Sequence, residues 1–487
     1  MKARLAVILS LCVAAGALLF SCASHQESSL AITHVTVIDM TGAPPLSDQT
    51  VLIEKERIKT LGPDGSVVVP YGAQLLDAAG RFLIPGLADM HVHLTAASEP
   101  DGSRKFMLPL LLANGITSVR DMGGYLESLI PLRKEIEQGK RLGPGIAYAG
   151  PYLDGSPPSF EPAFVVTNGV QAYEDVHQLV LRRVDFIKVQ SILSREAYFA
   201  IAEAAGRERI AFVGHVPDHV TAAEAAGAGQ HSFEHLTNVL RGCSRDEPRL
   251  MREQFYVPSE QETTAQSHTR IFQWQRELLD SYSEQNADAL ITKFRDKNVW
   301  QTPTLVLLKN NAFPTLEISA QERDPRIQYI PKATLEMWKR GRTAQMQFVK
   351  QPESDLRAQL FAKSSSLVGE MQKGGVKILA GTDSPAPYVF PGFALHEELD
   401  LLVHAGLTRT EALQSATANP AQFLGTLKDS GTIAAGKYAD LVLLDANPLD
   451  DIRNTRKIRA VIVRGKLLDR PALDALLDFA RSFAAAK

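Results

Sequence analysis

Cysteine is nearly absent: the 487 residues hold three, at positions 12, 22 and 243. Two of these fall in a leader-like segment, which leaves Cys243 alone and no disulfide framework. Stability must therefore come from an apolar core, and a bound metal must rely on nitrogen and oxygen ligands rather than thiolates. A surplus of one charge is also lacking. Formal net charge is −3 with 22% charged residues, and there is no basic stripe or stacking motif, so nucleic acid is set aside as a partner. No Gly-rich phosphate loop follows the first strand of the α/β region, which argues against an open dinucleotide-binding sheet. Short-period repeats and low-complexity tracts are missing as well.

An apolar run is present at Leu5 to Phe20, behind Lys2 and Arg4 and ahead of Ser21-Cys22-Ala23-Ser24. It is shorter than the about 20 residues a membrane span requires, and its flanks are those of a secretory signal over residues 1–22. Leu19-Phe20-Ser21-Cys22 resembles a bacterial lipobox. That resemblance implies export to the cell envelope with a lipid anchor at Cys22. Phe20 departs from the small residue usual there, so ordinary cleavage into the periplasm is the alternative.

Residues 30–84 read as short strands with turns, among them Ala31 to Ile38, Val51 to Ile53 and Val67 to Val69. Ala439 to Leu444 and Ala460 to Val463 look alike, so a small β-sandwich domain built from 30–84 plus 426–470 is expected. Between them, over 85–425, apolar strand-like runs alternate with helical ones. The strand candidates are Leu87–Leu94, Ile116–Asp121, Ile146–Ala149, Phe186–Val189, Ile210–Gly214, Ser232–His235, Thr302–Leu308 and Val376–Gly381. Eight strands alternating with helices predict an α/β fold, a (β/α)8 TIM-type barrel, with a doubly wound sheet as runner-up. Residues 240–298 are charged and helical in character, and read either as a lid over the barrel mouth or as an inert insertion.

Side chains two apart on a strand share a face, so His91 and His93 point one way, towards the mouth where barrel active sites lie. Alone the pair says little, since histidines at such positions are also met as ordinary structural residues. Lys188 sits in the apolar strand Phe186-Ile187-Lys188-Val189, where a lone ammonium is expensive. Pairing with a carboxylate would satisfy it; alternatively a lysine with a depressed pKa is nucleophilic, and CO2 can turn it into a carbamate able to bridge two metal ions. His215, His235 and Asp383 each end a candidate strand. Six such residues at the C-terminal ends of strands one, four, five, six and eight point to one constellation.

These segments carry a resemblance. Ile84-Pro85-Gly86-Leu87-Ala88-Asp89-Met90-His91-Val92-His93, Gly115 to Asp121, Phe186-Ile187-Lys188, Ser232-Phe233-Glu234-His235 and Ala380-Gly381-Thr382-Asp383 are similar to the amidohydrolase superfamily, in its imidazolonepropionase-like and Xaa-Pro dipeptidase (prolidase) branch. Asn419-Pro420 and Gly431-Thr432-Ile433 through Asp440-Leu441-Val442 extend the likeness over nearly all the chain after the leader. The resemblance implies a metal-dependent hydrolase: His91, His93 and Asp383 on one divalent ion, most simply zinc, His215 and His235 on a second, and carboxylated Lys188 between them. Asp383 would accept a proton from the attacking water and pass it to the leaving amine. The implied substrate is a dipeptide or N-acyl amino acid. Cyclic amides, lactones and phosphotriesters are alternatives on such a site, as is an imidazolonepropionase-like deployment with one metal. A catalytically silent envelope lipoprotein used for binding is the non-enzyme alternative, disfavoured because all six positions are filled.

Tyr152, His231 and Tyr388 are further candidates for substrate contact. His231 lies four before His235 and would share its face, with a structural role as the blander reading. Arg120 could grip a substrate carboxylate, although a structural pair with Asp121 or another acid is favoured. His219 reads as loop surface, His396-Glu397-Glu398 as helix-start chemistry near the pocket rim, and Trp300 and Pro303 as scaffold.

Overall fold

The computed structural model describes residues 29–95, 100–254, 263–313, 323–346 and 351–486. The leader with Cys12, the lipobox motif and Cys22 lie outside these residues. Among the described residues no helix is long and apolar enough to cross a membrane.

The chain opens with β1 (Leu30–Val37), β2 (Leu46–Glu54), β3 (Arg57–Pro63), β4 (Gln74–Asp77) and β5 (Phe82–Pro85), and returns at its end with β15 (Leu441–Leu444), β16 (Ile458–Val463) and β17 (Lys466–Leu468). These eight strands form one mixed sheet in the order β17-β16-β15-β5-β1-β2-β3, with β4 also pairing β1. Alternation explains its core: Leu30, Ile32, Val51, Ile53, Leu441, Leu443, Ala460 and Ile462 are buried together. Hydrogen bonds from Ile58 N to Lys437 O and from Gly436 N to Ile58 O carry the β3 edge back to the segment entering β15. The sheet thus curls over its own core as a small sandwich. Val67 to Val69 are not a strand; Val68 stands 86% exposed in an irregular segment after a turn.

Between the two halves lie β6 (Leu87–Val92), β7 (Ile116–Asp121) and β8 (Gly145–Tyr148), which form a parallel sheet. A second parallel sheet runs in the order β10 (Ala163–Val165), β9 (Tyr152–Asp154), β11 (Ile187–Val189), β12 (Phe212–Gly214), β13 (Ser232–Glu234), β14 (Trp300–Thr302). Two seams join the sheets into a ring. Asp185 N donates to Tyr148 O at 3.0 Å. On the other side residues 376–383 run extended between β14 and β6, with Gln301 N bonded to Lys377 O, Leu379 N to Gln301 O and Met90 N to Ala380 O. That segment is the eighth stave of the (β/α)8 barrel, although isolated bridges rather than a regular ladder hold it. Its approach is close: a Cβ on Gly381 would lie 2.6 Å from Thr302 Cγ2 and 2.9 Å from His91 Cβ. Only glycine lets the stave pass.

The seventh expected strand, Thr302–Leu308, is corrected. Pro303 has no N–H to give a ladder, and Thr304 turns to φ +47°, so the strand ends at Thr302 and Leu305–Ala312 is a helix. Residues 240–298 are helical where described, including Thr264–Asp280 and Glu284–Asp296. A further helix, Arg470–Ala485, buries Leu473, Ala480 and Ala484 in the main core, and Phe483 lies beneath the Lys105 ammonium of the Pro100–Ala113 helix.

Candidate metal centre at the barrel mouth

The strand ends place six side chains together. The ring of His91 lies edge-on 5.3 Å from His93 and tilted 4.4 Å from His235, and His235 stands 5.0 Å from His215. Asp383 Oδ1 lies 3.3 Å from His91 Nε2 and 3.0 Å from His93 Nε2. One ligand atom from each of these three residues falls within 4.8 Å of the others, close enough for a single ion. Lys188 is 1% exposed at the middle of β11. Gly214 on β12 crosses it so tightly that a Cβ there would sit 2.2 Å from Val189 O and 3.0 Å from Lys188 Cδ.

The histidines share one design. His91 Nδ1 meets Glu234 Oε2 at 2.8 Å, His93 Nδ1 meets Gly123 O at 3.0 Å, His215 Nδ1 meets Ser191 Oγ at 2.7 Å, and His235 Nδ1 meets Thr304 Oγ1 at 2.7 Å. With Nδ1 engaged by a neighbour in every case, Nε2 is the nitrogen left to ligate. Lys188 Nζ is buried with no hydrogen-bond partner. Four imidazole Nε2 atoms, a carboxylate that meets two of them and an orphaned amine are a donor set suited to zinc or a similar ion. Asp383 and His235 hold φ of +65° and +59°, left-handed conformations that stiffen where function over-determines the backbone. Asp383 N donates to His91 O at 2.7 Å, and Asp89 accepts from Thr382 N and Thr382 Oγ1 alongside it.

Burial shapes the electrostatics. It pushes the Lys188 ammonium down to about 8, against the pull of Glu234 and Asp383. It takes His235 down to about 3 and His215 well below the usual imidazole range, with Lys188 and the other rings adding to the effect. Both rings are neutral at pH 7, the state a ligand needs. Burial pulls the Asp383 carboxyl upward, but His91 and His93 outweigh it and hold the group well below the usual carboxylate range. Asp89, walled in, rises to about 7.

The remaining candidates scatter. Tyr152 borders the cluster, its hydroxyl 3.2 Å from His93 Nδ1. Tyr388 packs instead against Trp338 at 5.5 Å and lines a side cleft with Arg326 and Glu397. His231 lies at the opposite, N-terminal end of the barrel, its ring 4.9 Å from Phe423 beside a cavity of about 480 Å³. Arg120 does not pair with Asp121. It is fully buried and bonded to Glu234, Ser232, Thr302 and Met90 O, because β7 turns its side chain into the barrel interior. His396 is no rim residue: it joins Thr455 Oγ1 to Asn114 O in the core. His219 is exposed. Glu234, Ser191 and Thr304 escaped sequence reasoning; the only signal for Glu234 was an acid inside the short apolar strand run before His235.

The fold agrees with comparison to known proteins. Residues 82–468 match the model of the amidohydrolase family. Among solved structures, the bottromycin amidohydrolase superposes with a TM-score of 0.73 at 21% identity, covering 94% of this chain and 90% of that one. A Xaa-Pro dipeptidase with bound methionine in its active site gives 0.63 at 20% identity, covering 91% and 100%. Imidazolonepropionase of Arthrobacter sp. (strain FB24) is 44% identical over 54 residues, 11% of this chain and 13% of that protein. The matched stretch spans under a third of the length of the curated relatives. The chain belongs to the amidohydrolase family.

Proposed function

We propose that this protein hydrolyses the amide or peptide-type C–N bond of a small substrate such as a dipeptide or an N-acyl amino acid. The observation that carries the reading is the Lys188 amine, buried without a partner among four imidazoles whose Nδ1 atoms are already engaged. In this reading His91, His93 and Asp383 hold one divalent ion, His215 and His235 a second, and Lys188, carboxylated by CO2, joins them. Zinc so bound would polarise the scissile carbonyl and ease deprotonation of water. Asp383 stands between His91 and His93 with its carboxylate ionised, placed to take a proton from the attacking water and to return it to the leaving amine. Tyr152 and Gly123 O hold the His93 ring in place. Likeness to a Xaa-Pro dipeptidase favours peptide-type substrates.

The test is amino-acid release from a library of dipeptides and N-acyl amino acids. Protein without residues 1–22 would be loaded with zinc in bicarbonate buffer, with Lys188→Ala in parallel. Release by the wild type alone is expected. No release from zinc-replete wild type would withdraw the peptidase reading in favour of lactones, cyclic amides or phosphotriesters. A second reading, with a single ion, draws on the compact His91–His93–Asp383 group; activity indifferent to Lys188→Ala would favour it. We further propose that residues 1–22 direct export with lipid at Cys22. Persistence of Cys22→Ala in the membrane fraction would contradict that anchor.

A further inference from the structure

We infer that Glu234, clamped by Arg120, is a positioning residue for the metal centre: it fixes the tautomer and tilt of His91 so that Nε2 faces the ion. The inference deepens the metal-dependent reading above and rests on it. Glu234 is fully buried on β13, one residue before His235. Its Oε2 accepts from His91 Nδ1 at 2.8 Å, while Arg120 NH2 donates to Oε1 and Oε2 at 2.8 and 2.9 Å. Ser232 Oγ donates to Oε1 at 2.6 Å. Arg120 is in turn fixed by Met90 O at 2.7 Å and by Thr302 Oγ1 at 3.1 Å. The unit therefore ties β6, β7, β13 and β14 across the barrel interior and ends on a single imidazole.

The charge of the partner sets this contact apart from those of the other three rings. His93, His215 and His235 rest on a carbonyl or a hydroxyl, whereas His91 alone rests on a carboxylate. A hydroxyl, as at His215 and His235, can accept from N–H or donate to a bare nitrogen and leaves the tautomer open; a carbonyl, as at His93, or a carboxylate without a proton can only accept. Glu234 thus commits His91 to Nδ1–H. A carboxylate behind the ring also makes the ligating nitrogen more basic. Burying an isolated carboxylate this deep would be prohibitive, and the Arg120 fork makes it tolerable.

Zinc affinity, read by competition with a chromophoric chelator, tests this without recourse to turnover. Glu234→Gln keeps the shape but removes the charge, and should weaken zinc binding by about 10–100-fold. Glu234→Asp keeps the charge beside Arg120 but withdraws it from His91, and should weaken binding similarly even if the Gln variant fails to fold. In a His91→Ala background the Glu234 substitutions should have no further effect, since their influence runs through that ring. Long-range 1H–15N correlation on the wild type should show His91 as the Nδ1–H tautomer. Folded Glu234 variants with wild-type affinity, undiminished effects in the His91→Ala background, or an Nε2–H tautomer would each overturn the inference. Wild type that binds no zinc would instead remove the metal-dependent reading itself.

Discussion

The two ends of the barrel are built from the same staves yet treat their polar groups differently. At the base, Arg133 pairs with Asp185 at 2.7 Å, and His231 lies against Phe423. Phe423 also meets Trp300 edge-on at 5.6 Å, closing the barrel with apolar rings. At the mouth, each histidine spends Nδ1 on a neighbour, Nε2 of His91 and His93 meets only the Asp383 carboxylate, and Lys188 has no partner at all. Satisfied groups at the base stabilise the fold. Groups left half-satisfied at the mouth are costly unless something binds them. The contrast therefore separates stability from chemistry along one axis.

The sharpest break of this contrast is at the mouth. Asp383→Asn should retain zinc and lose about 10²- to 10⁴-fold in kcat, measured on any substrate found by the release assay. An unimpaired rate would end its role as proton carrier. At the base the expected change is in stability instead: Trp300→Ala should lower unfolding free energy by about 3–5 kcal/mol in denaturant titration, with zinc affinity unaltered.

A smaller effect concerns pH. Burial raises Glu398 to about 8, though Val306 N donates to it at 2.7 Å. Its folded value lies above the ordinary 4.5, so its stabilising contribution is complete below pH 4.5 and is lost as pH rises towards 8. Thermal scans from pH 6 to 9 should show stability falling by up to about 1.4 kcal/mol per pH unit, and Glu398→Gln should flatten that slope. The smallest change is expected for His231→Ala: stability within about 1 kcal/mol of wild type and turnover unchanged. A marked loss of turnover would mean that the two ends are coupled.

Much of this was legible in the chain itself. Period-two spacing put His91 and His93 on one face, and the apolar run around Lys188 marked a costly amine, although it left open whether a carboxylate would pair with it. Most of the staves and terminal β-strands followed from alternation, the exceptions being the seventh stave, which ends at Thr302, and Val67 to Val69, which form no strand. What could not be read was tertiary. His231 and His235 share a strand parity, but four residues of strand separate them by about 13 Å, so one belongs to the base and the other to the mouth. Pro303 and the left-handed Thr304 ended a strand that composition alone extended to Leu308. Arg120 found Glu234, 114 positions away, rather than its neighbour Asp121, because adjacent residues on a strand face opposite ways. The Arg470–Ala485 helix closes on the core from beyond the last expected strand.

The central claim is that Lys188 and the surrounding imidazoles form a carbamate-bridged metal centre. The most direct measurement is zinc content per chain, by elemental analysis of wild type and Lys188→Ala prepared with and without bicarbonate. The expected result is close to two zinc ions in wild type, dependent on bicarbonate, and a clear shortfall in Lys188→Ala. Equal zinc in both proteins, with no response to bicarbonate, would contradict it.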